Sequence, residues 1–132
     1  MKEAYVSFEV AKVLKEKGFN WECRTCYEHG ELKTEVCRQY VNWNGRHEVW
    51  ELMSAPTHQM ACAWLREIKN IVIIPEIHTT TDPKDYYWGA SIYYLDKPWD
   101  LVKWISEPSK GKCEGYDEVI EAALKYSLEN LI

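Results

Sequence analysis

Two cysteines three positions apart, Cys23 and Cys26, are the first place in this 132-residue chain where residue type and spacing could do chemistry. A Cys-x-x-Cys pair can supply two of the four tetrahedral ligands that structural zinc takes. His29, Cys37 and His47 follow along the chain and complete the candidate metal set. The fit to zinc is poor. A second Cys-x-x-Cys or His-x-x-Cys half-site is missing, and Arg24-Thr25 lacks the Pro or Gly that eases a metal knuckle. In an extended strand, the three-residue offset also points the two thiols to opposite faces. A redox dithiol is weaker still. The five cysteines, at 23, 26, 37, 62 and 113, therefore read as reduced thiols, and no metal or cofactor is expected.

A carboxylate beside an imidazole can move protons, and Glu76 and His78 alternate along one strand face. General acid–base work also needs a third partner and a pocket. A solvated strand end, running on into Thr79-Thr80-Thr81-Asp82, accounts for the pair equally well. His58 reads as a surface residue in the first turn of a helix, where the dipole slightly disfavours its charged form. No nucleophile elbow, phosphate-binding glycine loop or His-Glu-x-x-His motif is present. No catalytic residue is assigned.

The aromatic content is the outlier: seven Trp and nine Tyr against two Phe. Rings with a polar handle suit positions that are buried on one edge and wet on the other, binding surfaces among them. Tyr86, Trp88, Tyr93 and Tyr94 fall on both faces of one strand, more than a single core requires, and are the candidate binding residues. Trp64 is the opposite case, on the apolar stripe of a helix, and is expected in the core.

The elements that must position these residues follow from periodicity and punctuation. Val10, Ala11, Val13 and Leu14 give a helical stripe, with Ser7 as cap, Gly18 as the left-handed stop and Phe19 folding back. Strands are expected around Trp21 to Tyr27, turning at His29-Gly30, then over Leu32 to Trp43 and Arg46 to Leu52 about a type I′ hairpin at Asn44-Gly45. A second helix starts at the Thr57 cap and stops at Asn70, with Met60, Ala61, Trp64, Leu65 and Ile68 on one face. Strand Ile71 to Thr79 carries Pro75, which argues for an edge or a bulge. A strand over Tyr86 to Leu95 follows. Leu101 to Ile105 reads as another strand, with a short helix opening at Pro98 and Trp99 as the alternative. A last helix is capped by Asp117, with Ile120, Ala123, Leu124, Ser127, Leu128 and Leu131 on one face. The order is α-β-β-β-α-β-β-(β)-α. The expected fold is one α+β domain spanning residues 1–132, with a largely antiparallel sheet of about five strands and three helices on one face. Residues 31–70 and 71–132 form two hairpin-then-helix units, a weak structural repeat.

Composition sets the outer bounds. Hydrophobic residues make up 46% and charged residues 28%, which suits a globular domain and excludes a disordered or fibrous one. The longest aliphatic run, Ile71-Val72-Ile73-Ile74, is far short of a bilayer span of roughly 20 residues. The net charge is -5, all of it within residues 67–132. Binding to duplex nucleic acid draws its affinity from Lys and Arg on phosphate, so it is disfavoured. Lys12, Lys15 and Lys17 form a local basic cluster that reads as a complement to the helix dipole. Met1 to Val6 has no apolar segment of a secretory signal, and an odd cysteine count suits a reducing compartment. The expected location is the cytoplasm.

Three stretches carry a resemblance: Tyr5 to Phe19, Ala55-Pro56-Thr57-His58-Gln59-Met60-Ala61 with Trp64-Leu65-Arg66-Glu67, and the Tyr116-Asp117-Glu118 helix. Together they resemble a group of small uncharacterised proteins of gut bacteria and their phages or mobile elements. The resemblance implies no catalytic or ligand-binding residue, and the Cys23 and Cys26 pair stands outside its pattern.

These residues lead to a non-enzymatic module that binds a partner protein or a second copy of itself, through an aromatic face or a sheet edge. The alternative is an aromatic-rich module for a small ligand or single-stranded nucleic acid. A zinc module and a hydrolytic enzyme rank below both.

Overall fold

In a computed structural model, the structure describes residues 3–34, 40–45, 52–79, 86–106 and 115–132. Helix α1 (Phe8–Glu16) begins where Ser7 Oγ accepts from the Val10 N–H. It ends where Gly18, at φ 93°, lets the Gly18 and Phe19 N–H groups bond back to Lys15 and Leu14 carbonyls. That is the Schellman stop expected of Gly18-Phe19. Lys15 and Lys17, near this end, donate to the Leu52 and Ile132 carbonyls.

Strand β1 (Cys26–Glu28) turns through His29-Gly30 into β2 (Glu31–Lys33). Both turn residues have positive φ, 53° and 80°, as a two-residue type I′ hairpin requires. The hairpin expected at Asn44-Gly45 does not form. Trp43–Gly45 is a single 3₁₀ turn, because its side chains are committed to tertiary contacts. The buried Trp43 indole donates to the Cys23 carbonyl, and Asn44 bridges the Phe19 carbonyl and the Ser54 N–H. Leu32 and Leu52 both pair onto β1 rather than with each other, with Leu52 in β3 (Leu52–Ser54). The remainder of those two expected strands, 35–39 and 46–51, lies outside the described residues. Among the described residues, no hairpin about Asn44-Gly45 marks the first unit of the supposed repeat.

Helix α2 (His58–Lys69) runs from the Thr57 cap, whose hydroxyl accepts from the Met60 N–H, to Asn70 in the left-handed region. It leads into β4 (Ile71–Thr79), β5 (Tyr86–Tyr94) and β6 (Lys97–Ser106), an antiparallel meander. Leu101 to Ile105 is strand, and Pro98 and Trp99 open it rather than a helix. Pro75 sits on the edge strand β4, where its missing N–H costs no ladder bond. Helix α3 (Tyr116–Asn130) is capped by Gly115 without a side-chain bond, and Asp117 lies inside its first turn rather than at the cap.

The fold is α+β, with six described strands in two three-stranded antiparallel sheets, β2-β1-β3 and β4-β5-β6, rather than one sheet of about five. Helix α3 packs on β4, β5 and β6 and against α1 and α2, while α1 packs on β3. Val10, Leu14, Trp64, Leu65, Ile71, Ile92, Leu124 and Leu128 are buried in one continuous core. Trp64 is buried as expected, its ring edge-on to Phe19 at 5.5 Å.

Candidate functional site

Two imidazole–carboxylate pairs stand out, one in the interior and one on a sheet face. The interior pair begins with the lead-in segments of α1 and α2, which form a short antiparallel bridge at Tyr5 and Thr57. Val6 N–H donates to the Pro56 carbonyl and His58 N–H to the Ala4 carbonyl, so the two helix starts lie side by side. Glu121 of α3 enters between them. One carboxylate oxygen accepts from the Ser7 N–H at 2.7 Å, and the other meets His58 Nε2 at 2.7 Å. Burial opposes ionisation of Glu121, but hydrogen bonds from His58 and Ser7 outweigh it and hold the carboxyl below the usual carboxylate range. An ionised Glu121 requires the proton on Nε2. His58 Nδ1 is buried without a hydrogen bond, 4.0 Å from Asp117 Oδ1.

His58 is thus a buried tertiary linker, not the surface residue its helix position suggested. Periodicity places it in a first turn but says nothing of what Glu121 brings from 63 residues away.

The second pair is the one expected from strand alternation. His78 Nε2 lies 3.0 Å from Glu76 Oε2, and Ser91 of β5 donates to Glu76 Oε1 at 2.9 Å. Those two hydrogen bonds lower the Glu76 carboxyl from its ordinary value. The His78 ring stacks on Tyr87 at 5.4 Å and meets Trp104 edge-on at 4.9 Å. Trp104 reaches across β5 because residue 89 is glycine: a Cβ there would lie 2.3 Å from its ring carbons. By strand alternation, Val72, Ile74, Tyr87, Ser91 and Tyr93 share this face with Glu76, His78 and Trp104.

Among the described residues, neither pair sets a hydroxyl against the imidazole, as a serine–histidine relay needs. Ser7 Oγ caps α1, and Ser91 Oγ is given to Glu76.

The four aromatic candidates separate by face. Tyr86, Trp88 and Tyr94 alternate on the side toward α3, where Trp88 meets Tyr116 edge-on at 5.2 Å and Tyr94 packs against the core. Tyr93 lies on the opposite face. Tyr87 and Trp104, which are not among the four candidates, join Tyr93 there; for Trp104 the cross-strand ladder was the missing signal.

The thiols are quiet. Cys23 and Cys26 are buried, with Cys23 Sγ 3.6 Å from Met60 Sδ. Burial pushes the Cys23 thiol up to about 12 and the Cys62 thiol up to about 11, and raises Cys26 as well. Among the described residues, no three His, Cys, Asp or Glu side chains converge as metal donors. His29 sits exposed in the β1–β2 turn, and Cys37, His47 and Cys113 lie outside the described residues. Among the described residues, no helix is long and apolar enough to cross a membrane.

No family model, curated protein or solved structure matches the chain.

Proposed function

We propose that the protein is a small, cytoplasmic, non-enzymatic interaction module that self-associates through the open face of β4-β5-β6. The observation that carries this is the composition of that face. Helices α2 and α3 pack on the other side, and Ile74 is left 43% exposed. Val72, Ile74, Tyr87, Tyr93 and Trp104 make a branched and aromatic surface of the kind that packs sheet on sheet. Over the regular ladder its ionisable side chains are Glu76 and His78, bound to each other. In a chain of net charge -5, this is a face two copies can share without opposing like charges, as a two-fold interface demands. Pro75 meanwhile interrupts the free edge of β4, which favours face packing over edge-to-edge pairing. A setting in a phage or mobile element belongs to the same proposal and rests on the resemblance carried by the three helices.

Sedimentation velocity over a wide concentration range tests it. A dimer that Ile74→Glu converts to a folded monomer is the expected result. A wild-type chain that stays monomeric at the highest concentration overturns the proposal.

A further inference from the structure

A cleft of about 540 Å³ opens between the start of α2, the first turn of α3 and β4, on the side away from the open sheet face. Its size is that of a small-molecule site. Ile73, Pro75 and Ile120 form an apolar wall, and Glu3, His58 and Asp117 supply polar groups. Arg66 also lines the cleft, eight residues on from His58 along α2, a rise of roughly 12 Å.

We propose that this cleft binds a small organic cation, an amidinium or primary ammonium on a short apolar body, with its N–H groups directed at His58 Nδ1 and Asp117. His58 is nine-tenths buried, and Nδ1 is without a hydrogen-bond partner, which folded proteins seldom leave uncompensated. In the tautomer that gives its Nε2 proton to Glu121, Nδ1 presents a lone pair toward the cleft, 4.0 Å from Asp117 Oδ1 and beyond hydrogen-bond reach of it. Asp117 Oδ1 is the second acceptor. Two acceptors at that separation call for one centre bearing at least two donors. The Asp117 side chain is 65% exposed, so it can turn onto such a group at little burial cost. Glu3 adds negative charge to the lining, and Arg66, two turns along, makes the other end unfavourable for a cation. An apolar body lies along Ile73, Pro75 and Ile120. This site is independent of the sheet face and stands whether or not the chain dimerises.

Titration with benzamidine, followed by amide chemical shifts, tests it, with neutral benzamide and anionic benzoate as controls. Shifts that saturate with benzamidine and centre on residues 58, 73 and 117, at least tenfold weaker with benzamide and absent with benzoate, are expected. Asp117→Asn, at a mostly exposed position, keeps the fold and weakens benzamidine binding at least tenfold, while His58→Gln weakens it further. Equal binding of benzamide, shifts that map elsewhere, or wild-type affinity in Asp117→Asn overturns the proposal.

Discussion

His58 Nε2 lies 2.7 Å from Glu121 Oε2, tying the first turn of α2 to α3 across 63 residues of chain. Because the same carboxylate takes the Ser7 N–H, one side chain holds the starts of α1 and α2 together. Glu121→Gln keeps the shape and removes the charge. It should lower stability by about 1.5–3 kcal/mol at neutral pH, the range for hydrogen bonds to a charged group.

The same variant has a pH signature. A carboxyl lowered in the folded state contributes stability that is fully present above its unfolded value and is lost as pH falls through the folded one. For Glu121 that loss lies below the ordinary glutamate range. Urea denaturation from neutral to acid pH should show wild type losing its advantage over Glu121→Gln below that range. A constant difference at all pH values would contradict the assignment.

Gly89→Ala should expel Trp104 from its place against His78, because the new methyl would fall 2.3 Å from the ring carbons. Trp104 can swing outward, so the fold survives at a cost of about 1–3 kcal/mol. Near-ultraviolet circular dichroism should change while the far-ultraviolet spectrum does not. In the self-association assay, this variant should weaken the dimer.

Trp64→Ala removes a buried ring that touches Phe19 and underlies the Lys69 ammonium. The expected destabilisation is ~3–5 kcal/mol by thermal or urea unfolding. A loss below one kilocalorie would place the ring outside the core.

Thiol reactivity gives a chemical check. The thiolate is the nucleophile, and burial raises Cys23 to about 12 and Cys62 to about 11. At mildly alkaline pH, iodoacetamide should label both far more slowly in the native protein than in urea, read by peptide mapping. Native labelling of Cys23 at the unfolded rate would contradict its burial against Met60.

What was legible in the chain was local. Ser7, Gly18, Thr57 and Asn70 delimit α1 and α2 because their side chains or backbone freedom act within one turn. The strand from Ile71 to Thr79 follows from its β-branched run after the α2 stop, and the Glu76–His78 pair from alternation along it. Where a local signal met a tertiary demand, the tertiary demand prevailed. Asn44-Gly45 suits a hairpin, yet the Asn44 amide and the Trp43 indole bind backbone groups of Phe19, Cys23 and Ser54. Asp117 suits a cap, yet Gly115 takes that place.

The sequence by itself determined the α+β class and the limits of α1, α2 and β4, since these depend on neighbours a few residues apart. The tertiary structure alone decided that the strands divide into two sheets, that Glu121 buries His58, and that Gly89 admits Trp104 beside His78. Each of those depends on pairing between residues far apart in the chain, which periodicity does not encode.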